Sequence, residues 1–93
     1  MNRNNLKEIS EISKLLALEE NSTDIKNFMV EIFTESELET LSKRWQILQM
    51  LLQGKTQREI AKNLKVSLCK VTRGSQILKN KTSITAKYLK KEK

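Results

Sequence analysis

The 93-residue chain has no proline, no histidine, one cysteine and only two glycines. So few turn residues disfavour a sheet with many tight turns, and we expect helices joined by short connections. A lone Cys69 excludes an internal disulfide, and without histidine the chain has almost no parts for a zinc site or a catalytic triad. We therefore predict a protein that is not an enzyme and carries no metal or cofactor.

Long apolar runs are also missing. No stretch approaches the roughly 18 residues that a membrane helix needs, and no signal-peptide pattern is present. We expect a soluble, cytoplasmic protein that does not associate with membranes.

Charge is divided unevenly along the chain. Residues 1–42 hold four basic and nine acidic residues, whereas residues 43–93 hold fourteen basic and two acidic residues. The net charges of the two parts are −5 and +12. A strongly positive half is typical of proteins that bind a phosphate backbone, and the alternative is a merely solvated surface.

Apolar residues at helical spacing predict two helices in the first 33 residues, the second one capped by Ser22 or Thr23. Both are strongly apolar for their length, so we interpret residues 1–33 as dimerisation helices. A capping box, Thr34-x-x-Glu37, opens a central helix over residues 34–54 that ends at Gly54. Its apolar stripe covers about half of its circumference, and Trp45 on that stripe is expected in the core.

Residues 56–80 read as two short helices joined by a corner. A second capping box, Thr56-x-x-Glu59, opens the first of them, and Ser67 caps the other after a corner at Lys65. Ala61 is small enough for the helices to cross closely. The arrangement is that of a helix-turn-helix. Four apolar residues are expected to pin the pair together: Ile60, Leu64, Val66 and Val71. Leu68 is expected to face inward, and the residues expected to face outward are Lys70, Thr72, Arg73 and Gln76.

The last segment, residues 81–93, is a basic C-terminal tail. Ser83 is expected to cap a short helix whose apolar contacts are Ile84, Tyr88 and Leu89. The lysines of this segment, which include Lys90 and Lys93, add to the positive charge.

The residues expected to contact duplex DNA lie at the helix starts and along the exposed face of the second short helix. They are Gln57, Arg58, Ser67, Leu68, Cys69, Lys70, Thr72 and Lys79. Polar groups there would fix the register on the phosphates, and basic groups would supply salt-dependent affinity. A single helix-turn-helix rarely gives enough DNA contacts for specific binding. We therefore expect a homodimer on a palindromic operator. An RNA-binding or protein-interaction module with a basic surface is an open alternative.

Several strings in residues 34–79 are shared with one family. They are Leu41-x-x-Arg44, Leu51-Leu52-x-Gly54, Gln57-Arg58-Glu59 and Thr72-Arg73-Gly74-Ser75 followed by Leu78-Lys79. With them the chain resembles the bacterial tryptophan repressor, an established helix-turn-helix protein with water-mediated operator contacts. The resemblance implies an all-α, intertwined homodimer of five to six short helices, with one domain over residues 1–93. It also implies a transcriptional repressor that is activated by L-tryptophan and controls genes of tryptophan biosynthesis or uptake.

The resemblance further implies a corepressor site. Its residues would be Thr34, Arg44, Lys70, Arg73, Gly74 and Ile77. Arg44 and Arg73 match two arginines that hold the corepressor, and a guanidinium can both stack on an indole and bind a carboxylate. Thr34 matches a threonine that the other subunit supplies, and Gly74 leaves room for the ligand.

Three features depart from the family pattern. Lys70 replaces a threonine, Ile77 replaces a serine, and the turn over residues 54–57 is one residue shorter than in the best-known members. A second interpretation therefore stays open, in which the chain is a repressor-like regulator that responds to another small molecule or to none.

Overall fold

A computed structural model describes residues 5–91, and the side chains of residues 5–90. These residues form six helices and no strand, which confirms the predicted all-α fold of five to six helices. The helices are α1 (Leu6–Leu18), α2 (Ser22–Ile32), α3 (Glu35–Leu52), α4 (Gln57–Leu64), α5 (Leu68–Lys79) and α6 (Ile84–Lys91). Residues 1–4 of the predicted dimerisation segment and residues 92–93 of the basic tail lie outside the described residues. No helix within residues 5–91 combines the length and apolarity needed to cross a bilayer.

Both predicted capping boxes form. Ahead of α3, the Thr34 hydroxyl accepts from the Glu37 N–H at 3.1 Å, and the Glu37 carboxylate accepts from the Thr34 N–H at 2.9 Å. Ahead of α4, the Thr56 hydroxyl accepts from the Glu59 N–H at 3.1 Å, and the Glu59 carboxylate accepts from the Thr56 N–H at 3.4 Å. These reciprocal bonds satisfy N–H groups that have no partner within their helix.

The predicted cap of α2 is wrong. Asn21 fills that position, because its side-chain oxygen accepts from the N–H groups of Thr23 and Asp24 at 2.9 and 3.2 Å. Ser22, one of the two residues expected to cap, is instead the first residue of the helix. Asparagine is among the strongest N-cap residues, so the one-residue shift costs α2 no stability.

The chain divides into two compact units, one reaching Leu38 and the other beginning at Glu39. In the first unit, no residue of α1 or α2 is buried. Large apolar side chains stay exposed on both helices: Leu6, Ile9, Leu15, Leu18, Val30 and Ile32. Helices of 13 and 11 residues are marginal in water without tertiary packing. The role of residues 1–33 in a dimer, and the single domain over residues 1–93, stay predictions.

The core of the second unit forms where α3, α4 and α5 meet. Its buried centre is Ile47, Ile60 and Val71, one residue from each helix. Partly buried apolar residues pack around it: Met50, Leu51, Ala61, Leu64 and Val66. All four residues that were expected to pin α4 to α5 therefore belong to this core.

Trp45 is not in this core. Its side chain is 46% exposed, and Leu41, one turn earlier on α3, is exposed as well. Within α3, the buried residues are Ile47 and Leu48, and both lie in the C-terminal half of the helix. The prediction that Trp45 is a core residue is thus wrong for the single chain.

The inward assignments of Leu68, Ile84 and Tyr88 are also wrong. Leu68 is 47% exposed, because the buried face of α5 begins one turn later at Val71. On α6, Ile84 and Tyr88 are 62% and 59% exposed. Residues four apart share a helix face, and the opposite face of α6 is the buried one, with Ala86 and Leu89.

Two left-handed residues end α3 and α4. Gly54 has a φ of +89° and Lys65 a φ of +56°. After each, a backbone N–H closes the helix end: Lys55 donates to the Met50 carbonyl and Val66 to the Ala61 carbonyl. These are the hydrogen bonds of a Schellman cap, which reverses the chain within a few residues. The expected end at Gly54 and the expected corner at Lys65 are both confirmed.

Candidate ligand cavity and nucleic-acid surface

A cavity of about 240 Å³ lies between α3 and α5. We call it the α3–α5 cavity, and its lining residues are Arg44, Ile47, Leu48, Lys70, Arg73, Gly74 and Ile77. Helical spacing brings them together, because the α3 residues stand at i, i+3 and i+4 and the α5 residues at i, i+3, i+4 and i+7. Its volume lies below the roughly 300–1,000 Å³ of drug-sized sites, so it suits a single small molecule.

Five of the six predicted corepressor residues line this cavity. Thr34 is the exception: it belongs to the first unit, where its hydroxyl caps α3. Sequence reasoning missed Ile47 and Leu48 as lining residues. Their apolar periodicity was the signal, but it was interpreted only as core. That the cavity binds a corepressor stays a prediction at this point.

The cavity has an apolar floor and a cationic rim. Ile47 and Leu48 are buried, at 2% and 6% exposure. Three lining residues carry positive charge and are solvent-exposed: Arg44, Lys70 and Arg73. Such a site can hold an apolar body against the aliphatic side chains while guanidinium and ammonium groups pair with an anion at the mouth.

Gly74 is packed tightly against α3. A Cβ at this position would lie 2.8 Å from the Ile47 Cγ2 and 3.4 Å from the Leu51 Cδ1. The missing side chain lets α5 approach α3 closely. That Gly74 leaves room for a ligand stays a prediction, because the Ile47 and Leu51 side chains occupy the space next to its Cα.

Most of the predicted DNA-contacting residues are exposed. Ser67 caps α5, its hydroxyl accepting from the Lys70 N–H at 3.3 Å. The cap and the first three residues of α5, Leu68, Cys69 and Lys70, are all exposed. The exposed members of the predicted set are Arg58, Ser67, Leu68, Cys69, Lys70 and Lys79.

Gln57 and Thr72 differ from the rest of that set. The Thr72 hydroxyl donates to the Gln57 side-chain oxygen at 2.9 Å, and both residues are partly buried. The prediction that Thr72 faces outward is therefore wrong, because its hydroxyl fastens α5 to the first turn of α4. The Gln57 amide nitrogen is not used in this bond.

Positive charge dominates the second unit. Glu59 is the only acid between Lys43 and Lys91, and its carboxylate is bound by the Thr56 hydroxyl and N–H. A smaller cleft of about 190 Å³ at the junction of α5 and α6 adds four lysines. These lysines are Lys79, Lys81, Lys87 and Lys90. Such a surface attracts a polyanion over several ångströms.

Comparison with known proteins identifies the family. The model of a family described as Trp repressor protein matches residues 7–93. The chain belongs to this family. The family is described as a repressor, which is a regulator and not an enzyme. No solved structure matches the chain.

Relatives named Trp operon repressor homolog match the chain, and two of them represent the range of identity. The one from Chlamydia trachomatis serovar D is 41% identical over 58 residues, which are 61% of this chain and 62% of that protein. The one from Xylella fastidiosa strain M23 is 38% identical over 68 residues, 72% of this chain and 74% of that protein. The chain thus spans less than two thirds of the length of the Chlamydia relative it matches.

Proposed function

We propose that the chain is a sequence-specific transcriptional repressor that binds duplex DNA as a homodimer in the cytoplasm. Its operator affinity is raised by a small corepressor in the α3–α5 cavity. The observation that carries the proposal is that α5 serves both surfaces. Its exposed first turn holds three of the predicted DNA contacts, Leu68, Cys69 and Lys70, and the same helix forms one wall of the cavity.

The DNA-binding part is supported by the α4–α5 pair and by charge. α4, the left-handed Lys65 corner and α5 have the order and lengths of a helix-turn-helix, in which the second helix enters the major groove. Ser67 and Lys70 lie at the end of α5 that would face the base edges. The basic residues around them are suited to the phosphates on either side.

Coupling between ligand and DNA follows from the position of Lys70 and Arg73. Both line the cavity and both are exposed on α5. A ligand that fills the cavity fixes the distance between α3 and α5 and so holds the reading helix in one orientation. When the cavity is empty, α5 is less constrained and only a fraction of the molecules hold it in the orientation that binds DNA. The apparent affinity for the operator is reduced in proportion to that fraction.

L-tryptophan is the first corepressor to test. Family membership suggests it, and the cavity offers aliphatic side chains for an indole ring and two arginines for a carboxylate. The names of the relatives suggest genes of tryptophan biosynthesis or uptake as targets. A second candidate is a regulator of the same kind with another effector or none, and Lys70 and Ile77 favour it because neither offers the hydroxyl that the family pattern has there.

The dimer is supported by the apolar surface of α1 and α2, none of whose residues is buried in the single chain. Trp45 and Leu41 on α3 add exposed apolar area. A second copy of the chain would remove these side chains from water, at roughly 25 cal/mol per Å². It would also set two reading heads on a palindromic site.

The proposal is tested by selecting binding sites from a randomised duplex library with and without L-tryptophan. We expect a palindromic consensus and a tryptophan-dependent rise in affinity, measured by fluorescence anisotropy. Light scattering should give the mass of a dimer. Equal binding to every duplex and to single-stranded RNA would contradict the repressor function. A palindromic consensus with no tryptophan effect would leave the DNA part standing and favour the second candidate.

A further inference from the structure

The smaller cleft at the junction of α5 and α6 shares no lining residue with the α3–α5 cavity. We call it the α5–α6 cleft. Four exposed lysines line it: Lys79, Lys81, Lys87 and Lys90. No acidic residue lies between positions 60 and 91 of the chain. The positive charge of the cleft is therefore not neutralised by a carboxylate of α5, of α6 or of the connection between them.

The other polar side chains of the α5–α6 cleft also have donors to offer. The Asn80 side-chain oxygen accepts from the N–H and the hydroxyl of Thr82, at 2.9 and 2.8 Å, which leaves its amide nitrogen available. The Ser83 hydroxyl accepts from the Ala86 N–H at 3.1 Å, and its own hydrogen is available to donate. An ammonium group donates up to three hydrogen bonds and accepts none. A ligand of this cleft must therefore supply acceptors and negative charge, and a phosphate group supplies both.

We infer that the α5–α6 cleft binds one backbone phosphate of the duplex whose major groove α5 enters. This inference rests on the proposed function, because it requires a bound duplex. The cleft volume of about 190 Å³ is below that of drug-sized sites and suits a single phosphate group. The DNA surface is thereby extended from α5 to three lysines that follow this helix, Lys81, Lys87 and Lys90.

The length of α5 favours a phosphate of the same duplex. Lys79 follows Lys70 by nine residues, which is about 13.5 Å along the helix axis. Because the major groove is about 8.5 Å deep, a helix whose first turn contacts the base edges carries Lys79 about 5 Å beyond the phosphates at the groove rim. Side chains on a helix tilt toward its N-terminus, so Lys79 extends back toward those phosphates. The flexible stems of lysines are suited to spanning the remaining distance.

The test measures operator binding by anisotropy for the full chain and for two double variants. The cleft variant is Lys81→Gln with Lys87→Gln. The control variant is Lys14→Gln with Lys26→Gln, which makes the same change in net charge at exposed positions of α1 and α2 in the acidic first unit. The slope of log affinity against log salt should become shallower by about 0.9 per subunit in the cleft variant, as for one phosphate, and stay unchanged in the control variant. Circular dichroism should give the same helix content for all three proteins.

A second measurement locates the phosphate. Single phosphates of the operator duplex are replaced in turn by uncharged methylphosphonates. At one position in each half-site, this replacement should weaken binding of the full chain and of the control variant about two- to fivefold, as for one exposed charge pair. The affinity of the cleft variant should not change at that position, because its partner lysines are already missing.

The inference is overturned if the cleft and control variants have equal slopes, or if the cleft variant remains sensitive to every methylphosphonate that affects the full chain. Calorimetry with tripolyphosphate on the chain without DNA examines a free compound of the same chemistry. Binding of tripolyphosphate that only the cleft variant loses, together with an unchanged slope on the operator, would assign the cleft to a free phosphate compound and overturn the DNA contact.

These outcomes are distinct from a failure of the proposed function. In each of them the chain still binds its operator, so the repressor function stands and only the phosphate contact of the α5–α6 cleft is refuted. A chain that binds no duplex refutes the proposed function, and this inference with it.

Discussion

Gly74 on α5 lies against Ile47 on α3 so closely that a Cβ on the glycine would be 2.8 Å from the Ile47 Cγ2. Ile47 is 2% exposed and belongs to the core, and its Cγ2 is attached directly to the Cβ. The methyl group therefore has little freedom to move away. This contact sets the separation of the two helices and, with it, the width of the α3–α5 cavity.

Gly74→Ala should push α5 away from Ile47 and distort the α3–α5 cavity. A gain of about 1 kcal/mol in helix propensity opposes an overpacking cost of about 1–3 kcal/mol, so we expect a small net loss of stability. Effector affinity should fall about tenfold or more, because α5 must shift away from Ile47. Calorimetry measures the affinity. Gln76→Ala, at an exposed position two residues further on, is the control and should keep it. Full affinity in Gly74→Ala would contradict the role of this contact.

Ile60→Ala should destabilise the second unit strongly. Ile60 is fully buried between α3 and α5, and deleting such a side chain typically costs about 2–5 kcal/mol. Leu68→Ala removes a similar volume from a side chain that is 47% exposed, so it should cost less than about 1 kcal/mol. Chemical denaturation followed by circular dichroism compares the two. Equal losses would mean that a partner surface covers Leu68.

Thr72→Val should loosen the α4–α5 pair. It removes the hydroxyl that donates to Gln57 at 2.9 Å, which is worth about 1 kcal/mol at a partly buried position. Thr72→Ser keeps the hydroxyl and should retain most of the stability. The free energy of unfolding measures the difference. A large loss of operator affinity in Thr72→Val with unchanged stability would show that Thr72 contacts DNA instead.

Lys65→Gly should stabilise the corner. Lys65 has a φ of +56°, a conformation that costs a residue with a Cβ about 1–2 kcal/mol. Part of this gain is lost to the greater freedom of glycine in the unfolded chain, which leaves about 0.5–1 kcal/mol. Lys62→Gly, inside α4, should instead cost about 1 kcal/mol. The midpoints of thermal unfolding distinguish the two variants, and a destabilised Lys65→Gly would show that the lysine side chain contributes to the corner.

Arg58→Gln tests the phosphate contacts. If Arg58 neutralises one phosphate, the slope of log affinity against log salt should become shallower by about 0.9. Affinity should fall by a similar factor on every duplex. Lys26→Gln, on α2 of the acidic first unit, is the matched control and should leave the slope unchanged. Anisotropy titrations between low and moderate salt measure the slopes. An identical slope in Arg58→Gln would remove this residue from the interface.

Much of the secondary structure was available from the sequence because it rests on local interactions. The capping boxes at Thr34 and Thr56 and the cap at Ser67 each join groups at most three residues apart. The corner at Lys65 and the end of α3 at Gly54 follow from the same kind of short-range geometry. The Asn21 cap was missed because three adjacent residues are all good caps and only the backbone selects one of them.

The sequence alone also determines which residues share a helix face, because their spacing puts Lys70, Arg73 and Gly74 on one side of α5. Tertiary structure decided what those faces meet. Only the packing of α5 on α3 makes Ile47 and Leu48 part of the cavity lining and places Gly74 against the Ile47 Cγ2 methyl group. The same holds for the exposure of Trp45 and Leu68 and for the bond from Thr72 to Gln57. Periodicity tells which residues share a face, but burial depends on how far the neighbouring helix extends, and that is a property of the assembled fold.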